Sequence, residues 1–110
     1  MKKFTVIIFT VFCFAAPALA AEPGEALFKS QGCASCHRPE SSSKVNPSLK
    51  DIAQMYRGKE NQLLQYLNGE AEAIVRPERA SMMKRYIEKT KQLDDTGRKS
   101  IADFIMTYAD

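Results

Sequence analysis

"CASCH", residues 33 to 37, sets two thiols, Cys33 and Cys36, two residues apart and puts the chain's only histidine, His37, directly after the second. Three chemistries use cysteines spaced so closely: a redox disulfide, a zinc site and covalent attachment of a haem. The residues on either side decide among them, and with them the fold.

Upstream, "MKKFTVIIFTVFCFAAPALA" has a positive start at Lys2 and Lys3, an apolar run from Phe4 to Ala16, and Pro17 before the small-x-small triplet Ala18-Leu19-Ala20. This is the layout of a secretory signal peptide over residues 1–20. The run is shorter than the roughly 20 apolar residues that span a bilayer, and the bulky Val11 and Phe12 before Cys13 do not suit a lipid anchor. The expected mature domain is therefore residues 21–110, exported to the periplasm, with no stable membrane insertion after cleavage.

Without Lys2 and Lys3, 14 basic residues face 13 acids, a net charge of +1, so there is no electrostatic footprint for nucleic acid. Two cysteines remain of three, both inside the motif. A bridge between them would close almost no loop and could not staple distant segments. Ninety residues make one small domain with a modest core, which a large apolar cofactor would help to fill.

Downstream the pattern is helical. "GEALFKSQG" (24–32) reads as a short helix ending at Gly32, and "RPESSSKVNPS" as a loop. Leu49, Ile52, Ala53 and Tyr56 fall at helical spacing, as do Leu63, Leu64 and Leu67 before the stop at Asn68-Gly69. Residues 70–93 are less regular, with Pro77 interrupting them. Asp94 caps a last helix whose Ile101, Phe104, Ile105 and Tyr108 share a face. No alternating β-branched run is long enough for a sheet, so the fold class is all-α.

That choice bears on the motif. A thiol–disulfide oxidoreductase carries its Cys pair after a strand, and here a helix precedes it. Zinc takes four ligands, or three and water, whereas Cys33, Cys36 and His37 give three at most, two of them adjacent. C-x-x-C-H, by contrast, is the attachment sequence of a c-type haem. In this reading Cys33 and Cys36 form thioethers with the vinyl groups and His37 is the proximal iron ligand.

With these pieces in order, the chain resembles a class I c-type cytochrome, and more narrowly the small bacterial single-haem cytochromes of the c-551, c-552 and c-555 type. "GEALF" is similar to the family's first helix, with Gly24 and Phe28 at the places that pack on the last helix. "NPSL" is similar to its Gly-Pro-x-Leu loop, with Asn46 replacing the glycine, and "LDDTGRKSIADFI" resembles its C-terminal helix. The resemblance implies one haem c, a Pro47 carbonyl that accepts the Nδ1–H of His37, and a methionine as second axial ligand in "SMMKRY". Met55 comes too early and Met106 lies on a packed face. Between the remaining two the resemblance favours Met83, which on a helix shares a face with Ala80, Tyr86 and Ile87, while Met82 points to the flank. Lys84 and Arg85 stand where many relatives carry proline after the ligand, which calls for helix to hold the backbone there.

The implied function is a soluble periplasmic one-electron carrier, not an enzyme. Its partners would be redox proteins such as a terminal oxidase, a quinol–cytochrome c reductase or a periplasmic dehydrogenase. Lys84, Arg85, Lys89 and Lys91 either form a solvated face or steer an acidic partner to the haem edge. The rival reading is a haem-based sensor or catalytic subunit with an open iron site.

Overall fold

The computed structural model describes residues 23–110, together with residues 7, 8 and 10. The signal segment expected over residues 1–20 lies almost wholly outside the described residues. Among the described residues the chain forms five α-helices and no strand: α1 (Pro23–Ser30), α2 (Leu49–Met55), α3 (Glu60–Leu67), α4 (Ala80–Lys91) and α5 (Asp95–Met106). Two single turns of tighter 3-10 helix lie at the two stretches that carry the site, Cys33–Ser35 within the motif and Pro77–Arg79 just before α4. No helix among the described residues is long and apolar enough to cross a membrane.

α5 is the element on which the rest is assembled, packing against α1, α2 and α3, while α4 rests on α3. Asp94 starts α5 by accepting the Gly97 amide at 2.7 Å, and Ile101, Ala102 and Ile105 bury its inner face. Phe104 and Tyr108 of the predicted face are only half-buried, and the helix ends before Tyr108. α1 crosses α5 closely at Gly24, and Phe28 stacks at a tilt on Phe104 with ring centroids 5.4 Å apart. Ser48, which the sequence reading passed over, begins α2 by accepting the Asp51 amide at 3.0 Å. Such a cap contributes about 1 kcal/mol.

The irregular stretch expected over 70–93 is corrected in part. Pro77 opens the 3-10 turn without needing an amide donor, and α4 then runs unbroken for 12 residues. Its inner stripe is Met83, Ile87 and Thr90, at i, i+4 and i+7. Thr90 Oγ1 donates to the Leu67 carbonyl at 2.6 Å, tying α4 to the end of α3. At the C-terminal end of α4 the buried Arg98 guanidinium donates to the carbonyls of Thr90 (3.2 Å), Lys91 (3.0 Å) and Leu93, and pairs with Asp95. A cation there satisfies the unpaired carbonyls of the helix end and its partial negative charge.

Candidate haem site

The path from α1 into the motif is a tight corner. Gly32 takes the left-handed conformation (φ 86°), and a Cβ there would touch the Tyr86 ring at 3.4 Å. The chain then wraps once around Cys33, whose carbonyl accepts from the amides of Cys36 (3.2 Å) and His37 (2.9 Å). This turn buries Cys33 and His37 and leaves Cys36 exposed. Burial pushes the Cys33 thiol above its ordinary pKa, with Lys89 and a backbone hydrogen bond only partly opposing. A buried, protonated thiol is a poor nucleophile, the reverse of what a disulfide exchanger needs.

The loop after His37 folds back over the histidine. The amides of Leu49 and Lys50 donate to the carbonyls of Arg38 (2.8 Å) and Pro39 (3.1 Å), closing the loop at its base. Within it Ser43 makes a local turn, its hydroxyl accepting from Asn46 N–H at 2.9 Å. The Ser42 hydroxyl accepts from Ser48 N–H at 3.0 Å and donates to Asp51. Buried Pro47 is thereby placed so that its carbonyl lies 2.8 Å from His37 Nδ1. A carbonyl only accepts, so Nδ1 carries the donated proton, and Nε2 is the ring nitrogen left for a metal.

His37, Cys33 and Cys36 share the wall of a cavity of about 420 Å³, within the range of roughly 300–1,000 Å³ that cofactor sites span. Its floor is the core itself: Ile52, Leu63, Leu67, Ile101 and Ile105 all face it. Met82 and Met83 line it too, from the first turn of α4. Met83 is half-buried against the core, whereas Met82 is 53% exposed and sits at the rim. Met106 is half-buried in α5, and Met55, 49% exposed on α2, is not in the lining.

Three tyrosines, Tyr56, Tyr66 and Tyr86, and three arginines, Arg76, Arg79 and Arg85, complete the polar lining. Tyr56 is 2% exposed, and burial, reinforced by neighbouring Tyr66, pushes its hydroxyl up to about 12 against the opposing pull of a backbone hydrogen bond at Ile74. Burial also raises Tyr66. Tyr86 lies under two cations, Arg85 at 5.1 Å and Lys89 at 5.4 Å from the ring centroid. Arg76 holds a left-handed backbone (φ 50°, ψ 62°), which costs a non-glycine residue on the order of 1–3 kcal/mol.

The lining suits a haem. An apolar slot matches the macrocycle, two thiols and an imidazole nitrogen stand on one wall, thioether sulfurs stand at another stretch, and the charged residues of the lining are all arginines, fit for a haem's two carboxylates. Among the described residues no group of three or more His, Cys, Asp or Glu side chains could hold a metal ion alone. Sequence reasoning had found Cys33, Cys36, His37, Pro47, Met82 and Met83, and the fold gathers all six around this cavity. It missed Tyr66, Arg76 and Arg79, while Tyr86 had been read as sharing the face of Met83 and Arg85 as one of the cations near the haem edge. Tyr56 had been read only as a core residue, and nothing about Arg76 in sequence distinguishes it from a solvated loop residue.

The sequence model of the cytochrome c family matches residues 21–109. No curated protein matches the chain.

Proposed function

The chain belongs to the cytochrome c family, and on that footing we propose that it is a soluble one-electron carrier of the periplasm, with a His37/Met83-ligated haem c. Cys33 and Cys36 would hold the cofactor through thioether bonds, and His37 Nε2 would bind its iron. When bound, the haem supplies a reversible one-electron change at iron, Fe(III) to Fe(II) and back. The Pro47 carbonyl keeps the imidazole in one tautomer and one orientation. Core residues Ile52, Leu63 and Leu67 exclude water from the inner part of the slot.

The observation that carries the reading is that one cavity collects the C-x-x-C-H motif and a half-buried methionine on a separate helix. Met83 is favoured over Met82 because it continues the inner stripe of α4 with Ile87 and Thr90, while Met82 is half exposed. With His37 and Met83 both holding the iron, no place would be left on it for a substrate, which supports a carrier over an enzyme.

Export to the periplasm rests on the leader-like residues 1–20. The exposed Lys84, Arg85, Lys89 and Lys91 on α4, two of them over Tyr86 at the cavity rim, support docking of an acidic face of a respiratory redox partner. The partner would be a redox protein such as a terminal oxidase, a quinol–cytochrome c reductase or a periplasmic dehydrogenase.

The test is spectroscopic. Met83→Ala should keep the covalent haem, abolish the sulfur-to-iron charge-transfer band of the oxidised protein, admit carbon monoxide to the reduced protein and lower the potential. Met82→Ala should keep the band. The opposite pattern moves the ligand to Met82. If neither substitution matters, the methionine-ligated carrier gives way to an open-iron sensor or catalytic subunit.

A further inference from the structure

We propose that Arg76 is a positioning residue that ties the segment leading into Met83 to the loop that orients His37, so that the two ligand-bearing sides of the cavity keep one spacing. The proposal rests on the Met83 reading above. Arg76 is half-buried in the cavity lining, and one guanidinium nitrogen donates to the carbonyl of Ser43, 33 residues earlier in the chain.

Ser43 is a node rather than a loose loop residue. Its amide donates to the Asn46 carbonyl at 2.9 Å, and its hydroxyl accepts from the amides of Asn46 (2.9 Å) and Val45 (3.3 Å). Asn46 adjoins Pro47, whose carbonyl receives the His37 Nδ1–H. On the other side, the Arg76 carbonyl accepts the Arg79 amide at 2.9 Å and so fixes the 3-10 turn that feeds directly into the first turn of α4, where Met83 lies. A short unbroken path of covalent and hydrogen bonds therefore joins the His37 side to the Met83 side through one guanidinium.

The backbone of Arg76 gives an independent reason to assign the side chain a task. Among the described residues it alone, apart from glycines, has a positive φ. Glycine takes that conformation without strain, and asparagine more readily than most residues, yet the position carries a long cationic side chain. Strained backbone persists where the surroundings over-determine it, and here the bond to Ser43 does so.

The experiment uses the holoprotein and two variants. Arg76→Gly relieves the backbone but removes the clasp. Arg76→Lys keeps a cationic donor on the strained backbone. Amide hydrogen exchange at Val45 and Asn46 reads the loop, and the rate of carbon monoxide binding to the reduced protein reads opening at the sixth ligand. Losing a hydrogen bond from a charged donor should raise both about tenfold in Arg76→Gly, with Arg76→Lys recovering most of the loss. Unchanged exchange in Arg76→Gly overturns the clasp. Faster exchange with unchanged carbon monoxide binding overturns the link between the two sides. If the wild-type protein binds carbon monoxide freely and lacks the sulfur–iron band, the Met83 reading has failed instead, and amide exchange alone then decides whether the clasp exists.

Discussion

Replacing Gly24 by alanine should cost far more than one methyl group suggests. An added Cβ would sit 2.8 Å from both Phe104 Cβ and the carbonyl carbon of Ser100, with the Ser100 oxygen nearer still, whereas ordinary van der Waals contact begins at 3.4 Å. The obstructing atoms are mostly backbone of α5, so no side-chain rotation relieves the clash. Relieving the two carbon contacts alone takes about 0.6 Å, the nearer Ser100 oxygen demands more, and interiors are too tightly packed to absorb such a shift. Overpacking costs about 1–3 kcal/mol, and this site belongs at the upper end. Loosening the Phe28–Phe104 pair, worth about 0.5–1.5 kcal/mol, adds to it. The helix-propensity gain of up to about 1 kcal/mol offsets part. The net expectation is a loss of roughly 2–3 kcal/mol, and at about 4–8 °C per kcal/mol for a domain this small the melting temperature falls by roughly 10–20 °C. Denaturant and thermal unfolding of the reduced holoprotein measure it. Gly58→Ala is the control: nothing lies within 4 Å of its Cβ, so only its φ of +74° is penalised, at about 1 kcal/mol. A Gly24→Ala protein within about 0.5 kcal/mol of wild type would refute the argument that helix approach at Gly24 sets the α1–α5 crossing.

Two further substitutions probe the core and the cofactor. Tyr56 keeps its proton up to about pH 12 in the fold against about 10 in the unfolded chain, so it favours the fold fully below pH 10 and loses roughly 3 kcal/mol of that as pH rises to 12. Tyr56→Phe should therefore flatten the fall in stability between pH 10 and 12, and a slope equal to wild type's would count against the burial of this hydroxyl. Cys33→Ala with Cys36→Ala, produced without haem, should be largely unfolded by circular dichroism: at about 24 cal/mol per Å³, a 420 Å³ cavity would cost at most roughly 10 kcal/mol, comparable to the whole stability of a small domain. A cooperative thermal transition with native helix content in that chain would contradict it.

The sequence discloses those features that depend on local pattern. Helical periodicity, Asp94 as a cap and the C-x-x-C-H motif are each read within a few residues, and the structure has helices at all the periodic stretches. What escaped depends on which groups the fold brings together. Arg98 stands at i−3 and i−7 from Ile101 and Ile105, on the buried stripe of α5, and a charge on such a stripe is a visible signal that was available. Its acceptors, the carbonyls closing α4, are not visible. Thr90 follows Met83 and Ile87 at helical spacing and was legible in the same way. Arg76 was not. Its left-handed backbone, its place in the cavity and its bond to Ser43 arise only when two loops 33 residues apart meet.

The two sides of the cavity are held by different means, and this bears on how the protein should respond to mutation. Around His37 the nearest supports are backbone carbonyls of Cys33, Arg38, Pro39 and Pro47, with the Ser42 and Ser43 hydroxyls and the Arg76 guanidinium bracing the loop behind them. Met83 depends instead on α4 keeping its position, and α4 is fixed by side chains: Thr90 on Leu67, Arg98 on the last carbonyls, and Ile87 in the core. Changes distant from the cavity, at the far end of α4, should therefore reach the methionine. In the carrier proposed above such a division would be useful. A fixed imidazole orientation would keep the reorganisation accompanying each electron small, and a Met83 held only through α4 would leave the potential adjustable through residues that never touch the haem.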